Sequence, residues 1–307
     1  MSSAQVVGTG TAGNDPFEEF NRAMGAGGDA TPYPGYIEAR QVGPVHREVE
    51  IEQMAESPEG MKLFTAYSYE AVHKVLGDRA FSSAGYVEMM GVVFGHSILE
   101  MDPPEHHAYR SILQQAFTRR AMDRWETELV APLVHGMIDG FEADGHGDLV
   151  KQLLFPFPVT VIAALLGLPE ADLPQFHRLA VELIGVSVDW DRAISASAAL
   201  RDYLASIVAD RRAHPADDMI SVLACAEHDG QQLTDEDIYA FVRLLLPAGA
   251  ETTYRSSSNL LFGLLSHPDQ LEAVRADRSL LPQAIEEGIR WEPPLLIIMR
   301  TAARDTE

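Results

Sequence analysis

In the run Ala248-Gly249-Ala250-Glu251-Thr252-Thr253 a carboxylic acid stands beside an alcohol within an otherwise apolar stretch. A group that titrates next to one that both donates and accepts is a proton-handling pair. Left unpaired among apolar side chains, the charge is expensive and the hydroxyl costs ~1–3 kcal/mol, so Glu251 and Thr252 imply either a solvated cavity or chemistry. The plainer alternative is a proline-kinked core helix whose threonines only satisfy the backbone freed by Pro247.

Two further constellations carry charge at helical spacing. His106 and Arg110 are four apart after Asp102-Pro103-Pro104, so both face one way and suit a carboxylate or phosphate. Glu105-His106-His107 invites a metal, but adjacent helical residues diverge and nothing nearby has ligand spacing, so no metal is assigned. Glu287 and Arg290, three apart ahead of Pro293-Pro294, can pair on one face, where an exposed pair contributes little. The apolar run 295–299 then delivers Arg300, whose guanidinium is shaped for an anion.

The elements that must position these groups are mostly helical. Apolar residues recur at three-to-four spacing through 70–76, 106–117, 125–141, 159–166, 173–184, 194–208 and 219–226, with Gly and Pro between them. Segments 45–51 and 61–67 alternate and suggest an early hairpin. Thr234 followed by Asp235, Glu236 and Asp237 starts a central helix that runs to Ser266, where His267-Pro268 stops it. Its length is on the order of 32 residues, roughly 48 Å. Arg243, Glu251 and Arg255 interrupt the apolar run, which excludes a membrane span. Pro247 and Gly249 predict a kink with a bare backbone face. Another helix covers 279–291.

Composition bounds the function classes. Lys and Arg number 23 against 46 Asp and Glu, a net charge of −23, which argues against general nucleic-acid binding. Arg110, Arg119, Arg120 and Arg124 form a local basic exception, either a docking patch for an acidic partner or a solvated helix face. The single cysteine, Cys225, excludes an intramolecular disulfide and reads as a buried structural thiol. Residues 1–15 lack a basic start or an apolar run and read as a disordered tail rather than a signal peptide, so the chain is expected to be cytoplasmic, with one domain over 16–307.

Together these motifs resemble the bacterial cytochrome P-450 family, the haem-thiolate monooxygenases. Asp102-Pro103-Pro104 with His106, Arg110 and then Phe117-Thr118 looks like the family's haem-facing helix. Ala248-Gly249-x-Glu251-Thr252-Thr253 looks like its oxygen-activating helix, and Glu287-x-x-Arg290 with Trp291-Glu292-Pro293-Pro294 and Arg300 looks like its structural motif and the strand behind it. Tyr69-Glu70-Ala71-Val72 through Ala80-Phe81-Ser82 is similar to the family's early helix and the step after it.

The resemblance implies a mainly α chain with small β-sheets and haem b as cofactor. His106, Arg110 and Arg300 would bind the propionates, Ala248 and Gly249 would let porphyrin and oxygen approach the backbone, and Glu251 and Thr252 would relay protons toward dioxygen. Glu287 and Arg290 would serve as the structural motif. A lipophilic small molecule would be hydroxylated in a pocket drawn from loop 83–94 (Tyr86, Met89 and Val93 among it), Leu244, Leu245, Leu296 and Ile297. Electrons would come from a ferredoxin and its reductase, and the protein would be a monomer.

The family holds iron through a cysteine thiolate in a Phe- and Gly-rich loop near the C-terminus. No such loop occurs in these residues, and Cys225 has the wrong context. The fold is therefore expected to lack its C-terminal quarter and the isolated chain to be inactive. A non-catalytic helical binding protein for a lipophilic ligand, or an inactive fragment, is the alternative.

Overall fold

The computed structural model describes residues 31–48 and 62–306. Helices dominate, and the strands form three two-stranded antiparallel sheets among the described residues. Residues 1–15, expected to be a tail, lie outside the described residues, as do 49–51 and 61 of the expected hairpin. The rest of that hairpin is present: β1 (Val45–Glu48) pairs with β2 (Leu63–Ala66), Val45 opposite Ala66.

Helix α1 (Tyr33–Val42) precedes β1, and α2 (Tyr69–Gly77) follows β2 with Ser68 capping it through a bond from the Ala71 N–H. After β3 (Phe81–Ser82) the chain forms α3 (Tyr86–Phe94), where a loop was expected. Glu88 is its only charged residue and Gly91 disfavours helix, so no polar face marks the helix in sequence. Helix α4 (Glu105–Leu113) carries His106 and Arg110 and buries Tyr109, Ile112 and Leu113. Helix α5 (Arg119–Trp125) continues through a wide π turn into α6 (Ala131–Glu142).

The core forms around α9 (Trp190–Ala213), which packs against α8 (Leu173–Ile184), α10 (Met219–Cys225) and α11 (Asp235–Leu245). Asp189 caps α9 by accepting from the Arg192 N–H. Its buried residues, Ala193, Ala196, Ser197, Leu200, Leu204 and Val208, recur at three-to-four spacing, small ones first. Each fully buried leucine there contributes ~1.5–3 kcal/mol, and Leu204→Ala would cost about 2–5 kcal/mol. Helix α7 (Pro156–Leu165) closes the core with Val159, Ile162 and Ala163.

Cys225 is exposed, not buried as expected. Met219, Ile220, Leu223 and Ala224 make the inward stripe of α10, and the next residue turns out of it.

Helix α11 begins with a capping box: the Asp237 N–H donates to Thr234 Oγ1, and Asp237 Oδ2 accepts from the Thr234 N–H. Residues Ile238 to Arg243 are all buried, so this helix runs through the interior. The expected kink is realised as a π turn over Leu246–Glu251, after which α12 (Thr252–Ser266) continues to the predicted stop. Pro247 offers no N–H, and widening the turn accommodates both the missing donor and the ring.

Helix α13 (Pro268–Ala276) and α14 (Leu281–Trp291) complete the helical part, with α12 packed on α14. Antiparallel β4 (Glu227–His228) and β5 (Gln231–Gln232) lie between α10 and α11. Strand β6 (Thr301–Ala302) returns to pair with β3, Ser82 opposite Thr301.

Candidate functional site

Glu251 closes the π turn and Thr252 opens α12, so the pair sits where helical hydrogen bonding is irregular. Thr252 Oγ1 donates to the Ala248 carbonyl at 2.6 Å, a side-chain bond one turn back along the helix. Glu251 is held differently: Arg255 donates to its Oε1 from Nε at 2.9 Å, and Nη2 lies at 2.9 Å from the same oxygen. Burial raises the Glu251 carboxyl above the ordinary carboxylate range and outweighs the lowering by Arg255. A carboxyl so placed holds a proton more readily than a surface glutamate, which a proton donor requires.

Ala248 is exposed, whereas Gly249 is half-buried and turned toward α7: a Cβ there would lie 3.3 Å from Ile162 Cδ1. The glycine thus lets α7 approach the π turn. On the other side of the same turn Ala248 is the small residue that leaves the helix surface open.

The second group assembles around Asp102. Ser82 Oγ and the Ser83 N–H both donate to its carboxylate, the latter at 3.0 Å, while its carbonyl accepts from the His106 N–H at 3.0 Å. One aspartate therefore ties β3 to the start of α4. Because β3 pairs with β6, Arg300 directly precedes a strand that is linked through β3 and Asp102 to the start of α4. Tyr86 joins from α3 by accepting the Met299 N–H at 3.1 Å.

His106 is half-buried and its imidazole is held below the usual histidine range, chiefly by burial and then by Arg110. It is a neutral donor at neutral pH. Arg110 is exposed and makes no ion pair among the described residues; Arg300 donates from Nη1 to the Met299 carbonyl at 2.7 Å. In a chain with net charge −23, two guanidiniums and a neutral imidazole without carboxylate partners suit a ligand bearing two acid groups, as haem propionates are.

Glu287 and Arg290 form the expected pair on α14, bidentate at 2.6 and 2.7 Å, and exposed. Of the pocket residues, Val93 is fully buried; Leu244 and Leu245 pack against the core beside it; Tyr86 and Met89 are half-buried; Leu296 and Ile297 are exposed. Apolar surface is also exposed at Phe262 and Leu265 of α12 and at Ile285, Ile289 and Trp291 of α14.

Sequence reasoning missed Asp102 as the tie between β3 and α4, and treated Arg255 only as an interruption of an apolar run. The latter was legible, since it stands four residues after Glu251. It also missed His96, whose Nδ1 meets Glu100 at 2.6 Å and whose Nε2 meets Glu105 at 2.7 Å. His96 and Glu105 edge a groove of about 840 Å³ between α4 and the β4–β5 hairpin, lined also by His107, Tyr109 and Asp237 among others and by none of the residues predicted for the site. The Arg110 to Arg124 patch is partly neutralised, because Arg124 is bidentate with Asp217 at 2.8 and 3.1 Å.

A sequence profile of the cytochrome P450 family matches residues 183–307. The chain is 35% identical over 294 residues to the cytochrome P450 monooxygenase PikC of Streptomyces venezuelae, covering 93% of this chain and 68% of PikC. It is 34% identical to the putative cytochrome P450 YjiB of Bacillus subtilis, covering 90% and 69%. Among solved structures, cytochrome P450 CYP109B1 from Bacillus subtilis superposes with a TM-score of 0.77 at 33% identity, covering 90% of this chain and 72% of that one. CYP109E1 from Bacillus megaterium, solved with testosterone, gives 0.73 at 32%, covering 85% and 67%. A helix widened at Pro247 that carries an acid beside an alcohol, and an Asp102 that ties β3 to the helix bearing His106 and Arg110, thus occur in a chain that belongs to the cytochrome P450 family.

Proposed function

We propose that this chain carries the oxygen-side and propionate-side parts of a monooxygenase site that hydroxylates a lipophilic small molecule. Family membership makes the chemistry haem-dependent monooxygenation of a small molecule with O2, and no described helix is long and apolar enough to cross a membrane. Haem supplies oxygen activation when bound. The chain's own residues do the remainder: His106, Arg110 and Arg300 hold the propionates, and Ala248 leaves room beside the π turn. Thr252 and Glu251 pass protons, Thr252 turning its hydroxyl from the Ala248 carbonyl and Glu251 exchanging Arg255 for water.

The observation that carries this reading is the half-buried Glu251, raised by burial yet steadied by Arg255, next to a threonine whose hydroxyl is bonded to the Ala248 carbonyl. The pocket would take an apolar body against Val93, Leu244 and Leu245, with Tyr86 and Met89 at its edge and Leu296 and Ile297 opposite. CYP109E1 has been solved with testosterone and with corticosterone, which fits a lipophilic substrate here. Electrons would arrive from a ferredoxin and its reductase at the basic side of α4 and α5, with Arg120→Glu slowing reduction of bound haem at unchanged haem content.

Cys225 is the one cysteine of these 307 residues, and it is exposed at the end of α10. We therefore infer that the 307-residue chain by itself does not ligate haem through a thiolate and is inactive. Expression with excess haem, followed by reduction and carbon monoxide, should give no strong Soret band at the family's namesake position; a strong band there overturns the inference. Arg110→Ala and Arg300→Ala should each weaken haem uptake, and unchanged uptake in both would remove the propionate assignment.

A further inference from the structure

Arg243 is 7% exposed on α11, inside a chain of net charge −23, and pairs with no carboxylate among the described residues. Its Nε donates to the Tyr239 carbonyl at 3.2 Å and its Nη1 to Ser197 Oγ at 3.1 Å. Ser197 in turn donates to the Val93 carbonyl near the end of α3. The remaining N–H groups of the guanidinium, including both on Nη2, meet no acceptor among the described residues.

Buried guanidiniums are ordinarily matched by carboxylates, because two neutral acceptors do not replace the hydration of a cation. The charged neighbours are already committed. Glu236, two turns back on the same face of α11, is bidentate with Arg201, bonded from Nε at 3.1 Å and from Nη2, and Asp235 accepts from Arg212 at 2.5 Å. Arg201 also covers the Tyr239 ring at 5.5 Å. The junction of α3, α9 and α11 therefore holds a guanidinium that no carboxylate bonds, the nearby Glu236 acting on it only at a distance while bonded to Arg201.

Gly95 shows that the backbone is shaped around this cation. It has φ +76°, and a Cβ there would lie 2.5 Å from Arg243 Nη2. Apolar side chains adjoin the guanidinium: the buried Ala240 is one turn back, Leu244 is next in sequence, and the carbonyl of the buried Val93 is one hydrogen bond beyond Ser197.

We propose that Arg243 receives the carboxylate of an amphipathic monocarboxylic acid whose apolar body lies along α3 and α11. This rests on the reading that Val93 and Leu244 line the substrate pocket. With Nε bonded to Tyr239 and Nη1 to Ser197, one N–H on Nη1 and two on Nη2 are left for a planar carboxylate. The rest of the protein repels anions, so a preference for an acid over an equally apolar neutral ligand has to come from a local cation.

The test is calorimetric titration of the 307-residue chain with dodecanoate and with 1-dodecanol. The acid should bind about tenfold tighter. Arg243→Met should abolish that preference while leaving the alcohol's affinity unchanged, Arg243→Lys should retain part of it, and Ser197→Ala should reduce it, each in variants with unaltered far-ultraviolet circular dichroism. Equal binding of acid and alcohol overturns the carboxylate site but leaves the apolar pocket standing. An unchanged preference in Arg243→Met, even with a lowered melting temperature, overturns it by reducing Arg243 to a packing role; absence of saturable dodecanoate binding overturns the site and the pocket together. The haem titration is independent of all these outcomes.

Discussion

Oε1 of Glu251 accepts from Arg255 Nε at 2.9 Å and pairs with its Nη2 at the same distance, the two residues one helical turn apart on α12 and the π turn before it. Both side chains are largely covered, 18% and 25% exposed. Arg255 thus limits how far burial raises the Glu251 carboxyl.

Arg255→Met should raise the Glu251 midpoint further, as read by carbon-13 titration of the carboxyl. A carboxyl raised in the folded state binds its proton more tightly there than in the unfolded chain. Stability from this group is therefore lost as pH rises from the ordinary carboxylate value through the folded one, and the variant widens that window. At neutral pH it should be less stable by about 1–3 kcal/mol, and the deficit should shrink once Glu251 is protonated. An equal deficit at both pH values would show that Arg255 acts by packing alone.

How the central helix was legible, and where it ceased to be, follows from the same residues. Thr234 with Asp237 and the stop at Pro268 are local chemistry, so both ends were readable. Pro247 announced a lost donor but not the form of the answer, because kink and π turn both satisfy it. Gly249 looked like a bare face in sequence; only the packing of α7 shows that Ile162 occupies the space. Helix α3 gave no periodic signal since nearly every residue in it is apolar. Asp102 could not be singled out because its role depends on β3 reaching α4 from twenty residues away.

The capping box makes a separable claim about the start of α11. Thr234→Ala removes the acceptor for the Asp237 N–H and should cost about 1 kcal/mol. Asp237→Ala removes the reciprocal bond, and because the two side chains serve one another, the double variant should lose less than the sum of the singles. Urea denaturation of the four proteins measures the cycle; strict additivity would mean that the two bonds form independently.

His177 on α8 is half-buried against α7, with Nε2 at 3.0 Å from Thr160 Oγ1, whose hydroxyl donates to the Pro156 carbonyl at 2.8 Å. Burial lowers the imidazole to about 4 from 6.5, so the unfolded chain binds the proton more readily across that interval. Stability from this site is complete above the unfolded value and is lost as pH falls toward 4, by about 3 kcal/mol in all. His177→Gln, which keeps a donor for Thr160, should flatten the stability profile between pH 6.5 and 4.5. A profile as steep as the wild type's would mean that His177 remains accessible to protons in the folded state.

Gly249 and Ile162 provide the most local test of how the π turn is packed. A Cβ at 249 would lie 3.3 Å from Ile162 Cδ1 and 3.6 Å from Leu245 Cδ1, so Ile162 has to yield by a few tenths of an ångström. Alanine favours helix over glycine by ~1 kcal/mol, which offsets some of that crowding. Ile162→Val deletes the Cδ1 that the new methyl meets and alone should cost about 0.5–1.5 kcal/mol. Combined, Gly249→Ala and Ile162→Val should be more stable than the sum of the single effects by about 0.5–1 kcal/mol, because the new methyl fills the space that the deletion opens. Additive effects in a thermal or urea cycle would show that α7 shifts freely at this contact, and the glycine would then be required on the Ala248 side of the turn instead.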